Sequence, residues 1–425
     1  MEAPLSYRSI FTSLLFSAAI LSAQTPPALQ VSSLPQHLDA ARFGLRIDDG
    51  VLSGPGAAVL TDAINHSHYI LIGEDHLTRE IPQFATAICN LTAKQGPLTG
   101  MAIEVSPEAA AFMMRIVNSP DRWQRMVAQV KAYPWSIAVL DSRQENDMVS
   151  ACAHASHNPN FHLWGLDQPF AGSAGWLMDM MLAAKPGPDA KAALLRLKAD
   201  EDQDAAEAKA GAKTSALFLF SEKSEAEIEE AKPAIDHDGG AEVKRLFAEL
   251  SNSYHIYRDF SQGDVDSEVE RAKLLKLNFR NAMNQLAPSE KAGKIIVKFG
   301  DSHLYKGVND NHNLNLGDYI AETAQMAGVG SLHICVLGAG GTVSAFGKYG
   351  QPTHSEEDPP MKDRALLRWM EPFKAAALPG QWTLYDLRAL RYKIPRPLDS
   401  ELERMLDGYD FLVIVPKFTA AQMAD

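Results

Sequence analysis

The hydrophobic pattern of this chain alternates between short apolar runs and longer amphipathic segments. In the segment 78–94, apolar residues recur at helical spacing, at Ile81, Phe84, Ile88 and Leu91. Helices are also predicted at 57–66 and 315–326, and strands at 68–72, 101–105, 161–167, 294–299, 331–337, 382–387 and 409–416. Because a strand, a helix and a second strand follow one another over 68–105, the sequence predicts an α/β fold: a mostly parallel central sheet flanked by helices.

The middle of the chain has a different amino-acid composition. Residues 173–290 are rich in Ala, Glu, Lys, Asp and Leu and show no strand pattern beyond the short apolar run 217–220. We predict a large helical module inserted into an α/β core that comprises 57–172 and 291–425. Residues 24–56 are rich in Pro, Ser and Gly, which predicts an extended lead-in.

The first 23 residues have the pattern of a secretory signal peptide. Arg8 precedes an apolar stretch at 10–21 that is too short to span a bilayer, and Leu21-Ser22-Ala23 resembles a cleavage site. An uncleaved anchor is the alternative. We expect a periplasmic or secreted protein with no membrane association after signal cleavage.

The net charge and the cysteines of the chain limit which partners and which covalent links are expected. The chain carries a net charge of −13 and has no basic run or basic-aromatic patch, so nucleic acid is not an expected partner. A small-molecule substrate is expected instead, and the oligomeric state stays open. The three cysteines lie in settings typical of helix or strand interiors, which favours buried free thiols over a disulfide framework: Cys89, Cys152 and Cys335.

Two Gly-x-x-His tetrads follow predicted strands far apart in the chain. The first tetrad is Gly73-Glu74-Asp75-His76 and the second is Gly300-Asp301-Ser302-His303. Strand ends are where ligands gather in open α/β sheets, and glycine lets the backbone turn sharply there. If the two strands are neighbours, both histidines face one pocket. The repeated pattern therefore predicts two halves of one site.

A third strand end adds a carboxylate to this site. The strand 101–105 carries Glu104 near its end, and we expect it to pair directly with the strand before the first tetrad, so that Glu104 lies beside Glu74 and His76. A histidine flanked by carboxylates can act as a general base on water. The same residue types can ligate a metal, with His76, Glu104 and His303 as candidates, or they can form a purely structural cluster.

Several other motifs are absent or weak. Asp167 ends the strand 161–167 and Gln168 follows it, and both are candidates for substrate binding. The Gly-rich turn 338–341 has neither the Lys-Ser/Thr of a phosphate-binding loop nor a dinucleotide-binding context. The sequence also contains no Gly-x-Ser-x-Gly nucleophile elbow and no His-Glu-x-x-His.

As an ordered set, these motifs resemble the erythromycin-esterase-like superfamily, with its haem-uptake (ChaN-like) and Tiki protease relatives. The resemblance covers about residues 57–345 and rests on six segments: Ile72-Gly73-Glu74-Asp75-His76, Ala102-Ile103-Glu104, Gly165-Leu166-Asp167, the helix 270–278, Phe299-Gly300-Asp301-Ser302-His303 and Leu316-Gly317-Asp318-Tyr319. The chain departs from the esterases at Arg271-Ala272, where they tend to have Arg-Asp. Its second tetrad is closer to the other two branches.

The resemblance implies a fold and a set of roles. By position, His76 matches the proposed base, with Glu74 and Glu104 beside it and His303 as the second site histidine. Asp301 and Arg271 are then expected to bind substrate, together with Asp167 and Gln168. We expect an exported hydrolase of an ester, lactone or related bond that needs no cofactor. The alternatives are a metal-dependent, peptidase-like hydrolase and a non-catalytic binder of haem or iron.

Overall fold

The computed structural model describes residues 34–211, 217–264, 266–357 and 365–425. The predicted signal peptide and the first part of the predicted lead-in, up to residue 33, lie outside the described residues. The rest of the lead-in is not extended, because helix α1 (Leu34–Ala41) leads into a hairpin of β1 (Arg42–Asp48) and β2 (Val51–Ser53). Leu34, Leu38 and Ala41 bury one face of α1, an apolar stripe that the Pro, Ser and Gly content of the region concealed.

The remaining elements include a strand at each of the seven predicted positions and a helix at each of the three. The strands are β3 (Tyr69–Glu74), β4 (Leu98–Ile103), β5 (His162–Gly165), β6 (Lys294–Gly300), β7 (Ser331–Gly338), β8 (Thr342–Ala345), β9 (His354–Glu357), β10 (Trp382–Asp386) and β11 (Phe411–Val415). The helices are α2 (Pro55–Asn65), α3 (Glu80–Gln95), α4 (Pro107–Ile116), α5 (Arg122–Ala132), α6 (Arg143–Ala155), α7 (Ala174–Ala183), α8 (Pro188–Lys209), α9 (Ser224–Asp238), α10 (Gly240–Ser261), α11 (Asp266–Gln285), α12 (Leu316–Met326), α13 (Glu371–Ala376) and α14 (Ser400–Gly408).

The main sheet of the described residues has nine strands in the order β2-β1-β10-β11-β7-β3-β6-β4-β5. The six strands from β11 to β5 run parallel to one another, whereas β1, β2 and β10 form an antiparallel edge. This confirms the predicted α/β class with a mostly parallel sheet.

The sheet has a hydrophobic core on each face. Alternate residues of β3 point to opposite faces: Ile70 and Ile72 pack in one core, and Leu71 packs in the other. Both faces are covered by helices, which explains why the central strands are continuous apolar runs rather than alternating ones.

In the described part of the segment 173–290, helices are the only regular secondary structure. Helices α7 to α10 bury a third core of their own, and the apolar run 217–220 contributes a 3₁₀ helix at Phe218–Phe220 instead of a strand. Helix α11 then returns to the sheet, where Leu275 and Phe279 join the core beneath β3 and β6. Within the described ranges, no helix combines the length and apolarity needed to cross a membrane.

Two of the three cysteines form a disulfide, so their interpretation as free thiols is wrong. Cys89 on α3 and Cys152 on α6 are bonded, whereas Cys335 on β7 is a buried free thiol. Helices α3 and α6 pack against each other, which brings the two cysteine Cα atoms to 5.2 Å. Helix neighbours of this kind are set by tertiary packing, and the local sequence around each cysteine gave no sign of it.

Candidate active site

The two tetrads meet at the carboxyl ends of the parallel strands. Strand β6 pairs with β3, with Gly300 opposite Glu74, so the expected neighbourhood of the two histidine motifs is confirmed. Strand β4 lies on the far side of β6, so the expected direct pairing of β3 with β4 is wrong. Glu104 nevertheless reaches His76 across the end of β6. Together these strand ends form the floor of an open cleft of about 470 Å³.

The glycines of the tetrads allow close approach rather than a sharp turn. A Cβ on Gly300 would lie 3.1 Å from His76 Nε2 and 3.3 Å from Glu104 Oε2. A Cβ on Gly73 would lie 2.4 Å from the hydroxyl of Tyr409, which donates a hydrogen bond to the backbone oxygen of Asp301. Gly300 has a φ of −49°, a conformation open to any residue. Space for neighbouring groups is therefore what requires glycine here.

His76 lies between two carboxylates. Its Nδ1 is 2.9 Å from Glu74 Oε1, and its Nε2 is 3.3 Å from Glu104 Oε2. The imidazole side chain is 29% exposed, whereas the side chains of Glu74 and Glu104 are only 2% and 8% exposed. Burial alone would lower the pKa of His76, but the negative charges of Glu104 and Glu74 outweigh it and raise the pKa well above its usual range.

Glu104 accepts hydrogen bonds or ion pairs from four directions. The Gly300 N–H donates to Oε2 at 2.6 Å, and Arg271 Nη2 donates to Oε1 at 2.8 Å. His303 Nε2 lies 3.3 Å from Oε1, and His76 faces Oε2. Burial would raise the pKa of Glu104, but the charges of His303 and His76 lower it well below its usual range. Glu104 therefore stays ionised and positions its neighbours.

A left-handed residue follows His76 directly. Leu77 has a φ of +66°, which is uncommon for a side chain of this size. Its carbonyl accepts hydrogen bonds from the Ser344 and Ala421 amides, both at 3.1 Å, and these contacts hold the conformation in place. The turn carries the chain from β3 to α3 while His76 remains directed at the cleft.

A buried lysine connects this site to the core. Lys298 on β6 donates to Glu74 Oε1 at 2.5 Å and to Glu145 Oε1 at 2.7 Å, and its side chain is 2% exposed. Burial alone would lower the pKa of Lys298, but Glu145 and Glu74 raise it. Alternating charges thus run from Glu145 through Lys298, Glu74 and His76 to Glu104.

Asp301 supplies a carboxyl group of a different kind. Burial, together with the nearby charges of Asp75 and Asp310, raises the pKa of Asp301 to about 8. The Ser302 N–H donates to its Oδ1 at 2.8 Å. At neutral pH this group carries a proton and can donate a hydrogen bond into the cleft.

The eight residues predicted for the site separate into two sets. Six line the cleft: Glu74, His76, Glu104, Arg271, Asp301 and His303. Asp167 lies behind Arg271, which donates to it at 2.5 and 3.1 Å, and Gln168 is buried outside the cleft lining. The predicted substrate contact of Asp167 and Gln168 is therefore not supported, because the Arg271 guanidinium on α11 covers the end of β5.

Sequence reasoning missed several residues of the site. Lys298 could have been found, since a lysine between apolar residues in the middle of a buried strand needs a buried partner. Glu145 on α6 gave no comparable signal. The walls of the cleft also include residues from segments without a motif: Val139, Phe170, Glu268, Asn311 and Phe346.

The candidate metal ligands do not converge on a common point. His76 and His303 each contact Glu104, whose oxygens are already occupied by Arg271 and the Gly300 amide. The positive charge of Arg271 takes the place that a cation would need. In the described part of the chain, a set of ligand atoms within 4.8 Å of one another occurs elsewhere, at Asp189, His237 and Asp238 on α8 and α9.

Comparisons with known proteins show the fold. No family model matches the chain, and no curated protein matches it in sequence. A mutant of the erythromycin esterase EreC in its open conformation superposes with a TM-score of 0.59 at 13% identity, over 90% of this chain and 99% of that one. A succinoglycan biosynthesis protein superposes with a TM-score of 0.56 at 13% identity, over 92% and 98%. The haem-binding ChaN of Campylobacter jejuni reaches a TM-score of only 0.30 at 9% identity, over 70% and 91%. The chain therefore has the fold of EreC.

Proposed function

We propose that this protein is a hydrolase that cleaves an ester or lactone with a water molecule activated by His76. The observation that carries the proposal is the position of His76, which faces an open cleft while two buried carboxylates contact its two ring nitrogens. A histidine held in this way has a defined orientation and a stabilised imidazolium form, the two properties that general base catalysis requires.

The two ring nitrogens have different roles in this mechanism. Nδ1–H donates to Glu74 at the shorter distance, which fixes the tautomer and leaves Nε2 as the nitrogen that exchanges protons. Because the raised pKa favours the imidazolium in the resting protein, His76 first releases its Nε2 proton to solvent. The neutral Nε2 then takes a proton from water as the water oxygen bonds to the carbonyl carbon and the carbonyl π electrons move to the carbonyl oxygen; these electrons re-form the C=O bond as the leaving group departs. When the carbon–oxygen bond to the leaving group breaks, the imidazolium returns the proton to the leaving oxygen. Glu74 and Glu104 stabilise the imidazolium between these two steps.

Other cleft residues stabilise the charge that develops on the substrate. Arg271 is the cation on the cleft wall nearest Glu104, and protonated Asp301 can donate a hydrogen bond to a substrate oxygen. Both lie at fixed positions before the substrate arrives, which is the condition for effective electrostatic stabilisation. The esterase whose fold the chain shares supports the choice of an ester or lactone as substrate class.

The proposed setting is outside the cytoplasm. The Cys89–Cys152 disulfide is typical of oxidising compartments, and the pattern of residues 1–23 is that of a secretory signal peptide. A small-molecule substrate is the proposed partner.

The proposal is tested by hydrolysis of a panel of esters and lactones in water enriched in ¹⁸O. We expect one solvent oxygen in each acid product, and loss of about 10²–10⁴ in rate for His76→Asn. His66→Asn is the matched control, because His66 is exposed at the end of α2. Turnover by folded His76→Asn at the wild-type rate, or no turnover of any panel member by the wild type, would overturn the proposal.

A further inference from the structure

A second cavity lies next to the catalytic cleft and shares a wall with it. It measures about 280 Å³, and Phe346 lines both spaces. An aromatic series continues through this wall, since Phe346 lies 6.1 Å from Phe170 on the cleft side and 6.2 Å from Trp135 on the cavity side, measured between ring centroids. A molecule seated in the cleft therefore contacts an aromatic wall whose other side lines the second cavity.

The loop between α5 and α6 separates the two spaces and has an unusual backbone. Trp135 has a φ of +61° and Val139 a φ of +75°, and the latter is an outlier for a β-branched residue. Trp135 lines the second cavity, whereas Val139 lines the cleft. The loop also packs tightly, because a Cβ on Gly172 would lie 1.9 Å from the backbone oxygen of Pro134. Backbone held in such conformations is concentrated at ligand sites.

The cavity contains a buried carboxyl group with an unused oxygen. Asp141 is 4% exposed and lines the cavity, and its Oδ1 has no hydrogen-bond partner among the described residues. A buried polar atom without a partner costs free energy unless a ligand or water satisfies it. Burial raises the pKa of Asp141 to about 7; a backbone hydrogen bond to the carboxyl group opposes this shift, and Asp425 and Glu145 add smaller contributions to it.

We propose that this cavity is a substrate subsite that holds a bulky apolar group carrying a hydrogen-bond donor, with the donor placed against Asp141 and the apolar part between Trp135 and Phe346. The inference rests on the proposed hydrolase for its substrate, but the cavity binds its ligand without catalysis. Hydroxyl and amine groups are the donors that fit an unused carboxyl oxygen. Lys131 and Lys209 are exposed and also line the cavity. An anionic ligand would bind to these lysines instead of to Asp141.

Binding of two small probes tests the subsite directly. Ligand-observed NMR or calorimetry would compare 4-phenylbutylamine, which has a donor, with 4-phenylbutyrate, which has only acceptors. We expect the wild type to bind the amine at least tenfold more tightly, and Asp141→Leu to lose about tenfold in amine affinity. Asp62→Leu, at an exposed position on α2, is the matched control. Equal amine binding by Asp141→Leu, no amine binding by the wild type, or a preference for the carboxylate would overturn the subsite.

The same measurement on His76→Asn separates the two proposals. Amine binding by this variant should equal that of the wild type, because the subsite lies beyond the Phe346 wall. If amine binding fails while esters are still hydrolysed, the subsite proposal is wrong and the hydrolase proposal stands. If no ester is hydrolysed but the amine binds through Asp141, the subsite stands and the hydrolase proposal is wrong.

Discussion

Nε2 of His76 lies 3.3 Å from Oε2 of Glu104, although the strands that precede these residues do not pair with each other. The two side chains meet over Gly300 at the end of the intervening strand β6, and the Gly300 amide donates to the same Glu104 oxygen. The contact thus depends on the ends of the three strands β3, β6 and β4, and on Gly300 having no side chain.

Gly300→Ala should disturb this contact without unfolding the protein. The added Cβ would lie 3.1 Å from His76 Nε2 and 3.3 Å from Glu104 Oε2, so the imidazole must shift by a few tenths of an ångström. We expect roughly a tenfold or greater loss in kcat/KM, since small misplacements of catalytic groups are costly, with a change in unfolding free energy within about 1 kcal/mol. Gly175→Ala is the control, because its Cβ would make only ordinary contacts, the nearest at 3.6 Å. Equal losses in the two variants would contradict this account.

Lys298→Met should destabilise the fold strongly. The substitution leaves Glu74 and Glu145 buried without their shared cation, a change that typically costs about 3–5 kcal/mol. Guanidinium unfolding at pH 7.5 would measure it. The double variant Lys298→Met, Glu145→Gln should recover part of the loss, because one uncompensated carboxylate is removed. Lys232→Met, at an exposed position on α9, should leave the unfolding free energy close to that of the wild type. An equally small change for Lys298→Met would show that the buried ion pairs contribute little.

Asp301 should make the protein less stable as the pH rises. Its pKa is about 8 in the folded protein and close to 3.8 when unfolded, so between these values the folded state binds the proton more tightly. The contribution of this group to the unfolding free energy is therefore present at pH 4 and is lost as the pH rises toward 8. Asp301→Asn has no carboxyl proton to lose, so its stability should fall less between pH 5 and pH 8, by on the order of 4 kcal/mol, since each of the three pH units contributes about 1.4 kcal/mol. Asp62→Asn should show the same change of unfolding free energy with pH as the wild type. If Asp301→Asn also shows the wild-type change, the pKa of Asp301 is not shifted.

The cysteines give a test that needs no substrate. Protein purified without reductant and then unfolded should react with a thiol reagent once per chain, at Cys335, and three times after reduction. Replacing Cys89 and Cys152 together by Ala should lower the unfolding free energy by about 4 kcal/mol, because the disulfide closes a loop with a sequence separation of 63 residues. Three reactive thiols before reduction would show that the disulfide does not form.

Local patterns in the sequence predicted the sheet and the tetrads but not the partners of the strands. Strand runs and strand-end residues are local signals, so His76, Glu104 and His303 were found at the correct edge of the sheet. The order of strands depends on packing between distant segments, so the position of β6 between β3 and β4 was missed.

The same limit explains the other residues that were missed. Glu145 reaches the site only because α6 brings it against Lys298 of β6. Trp135 and Asp141 line the second cavity only because the loop with left-handed residues at Trp135 and Val139 places them there. The cysteine pairing likewise depends on the contact of α3 with α6. Each of these relationships is made between elements, and no local motif specifies it.

The pH dependence of kcat/KM for the wild type and Glu104→Gln tests the central claim most directly, with circular dichroism as the check on folding. If neutral His76 is the base, the wild-type rate should rise with pH through a midpoint above 6.5, because Glu104 and Glu74 raise the pKa of His76. Protonated Asp301 should set a falling limb with a midpoint of about 8. Glu104→Gln should move the rising limb toward 6.5 and leave the falling limb in place. A rising limb at the same midpoint in both proteins, or none in the wild type, would contradict the role of His76 as a base tuned by two carboxylates.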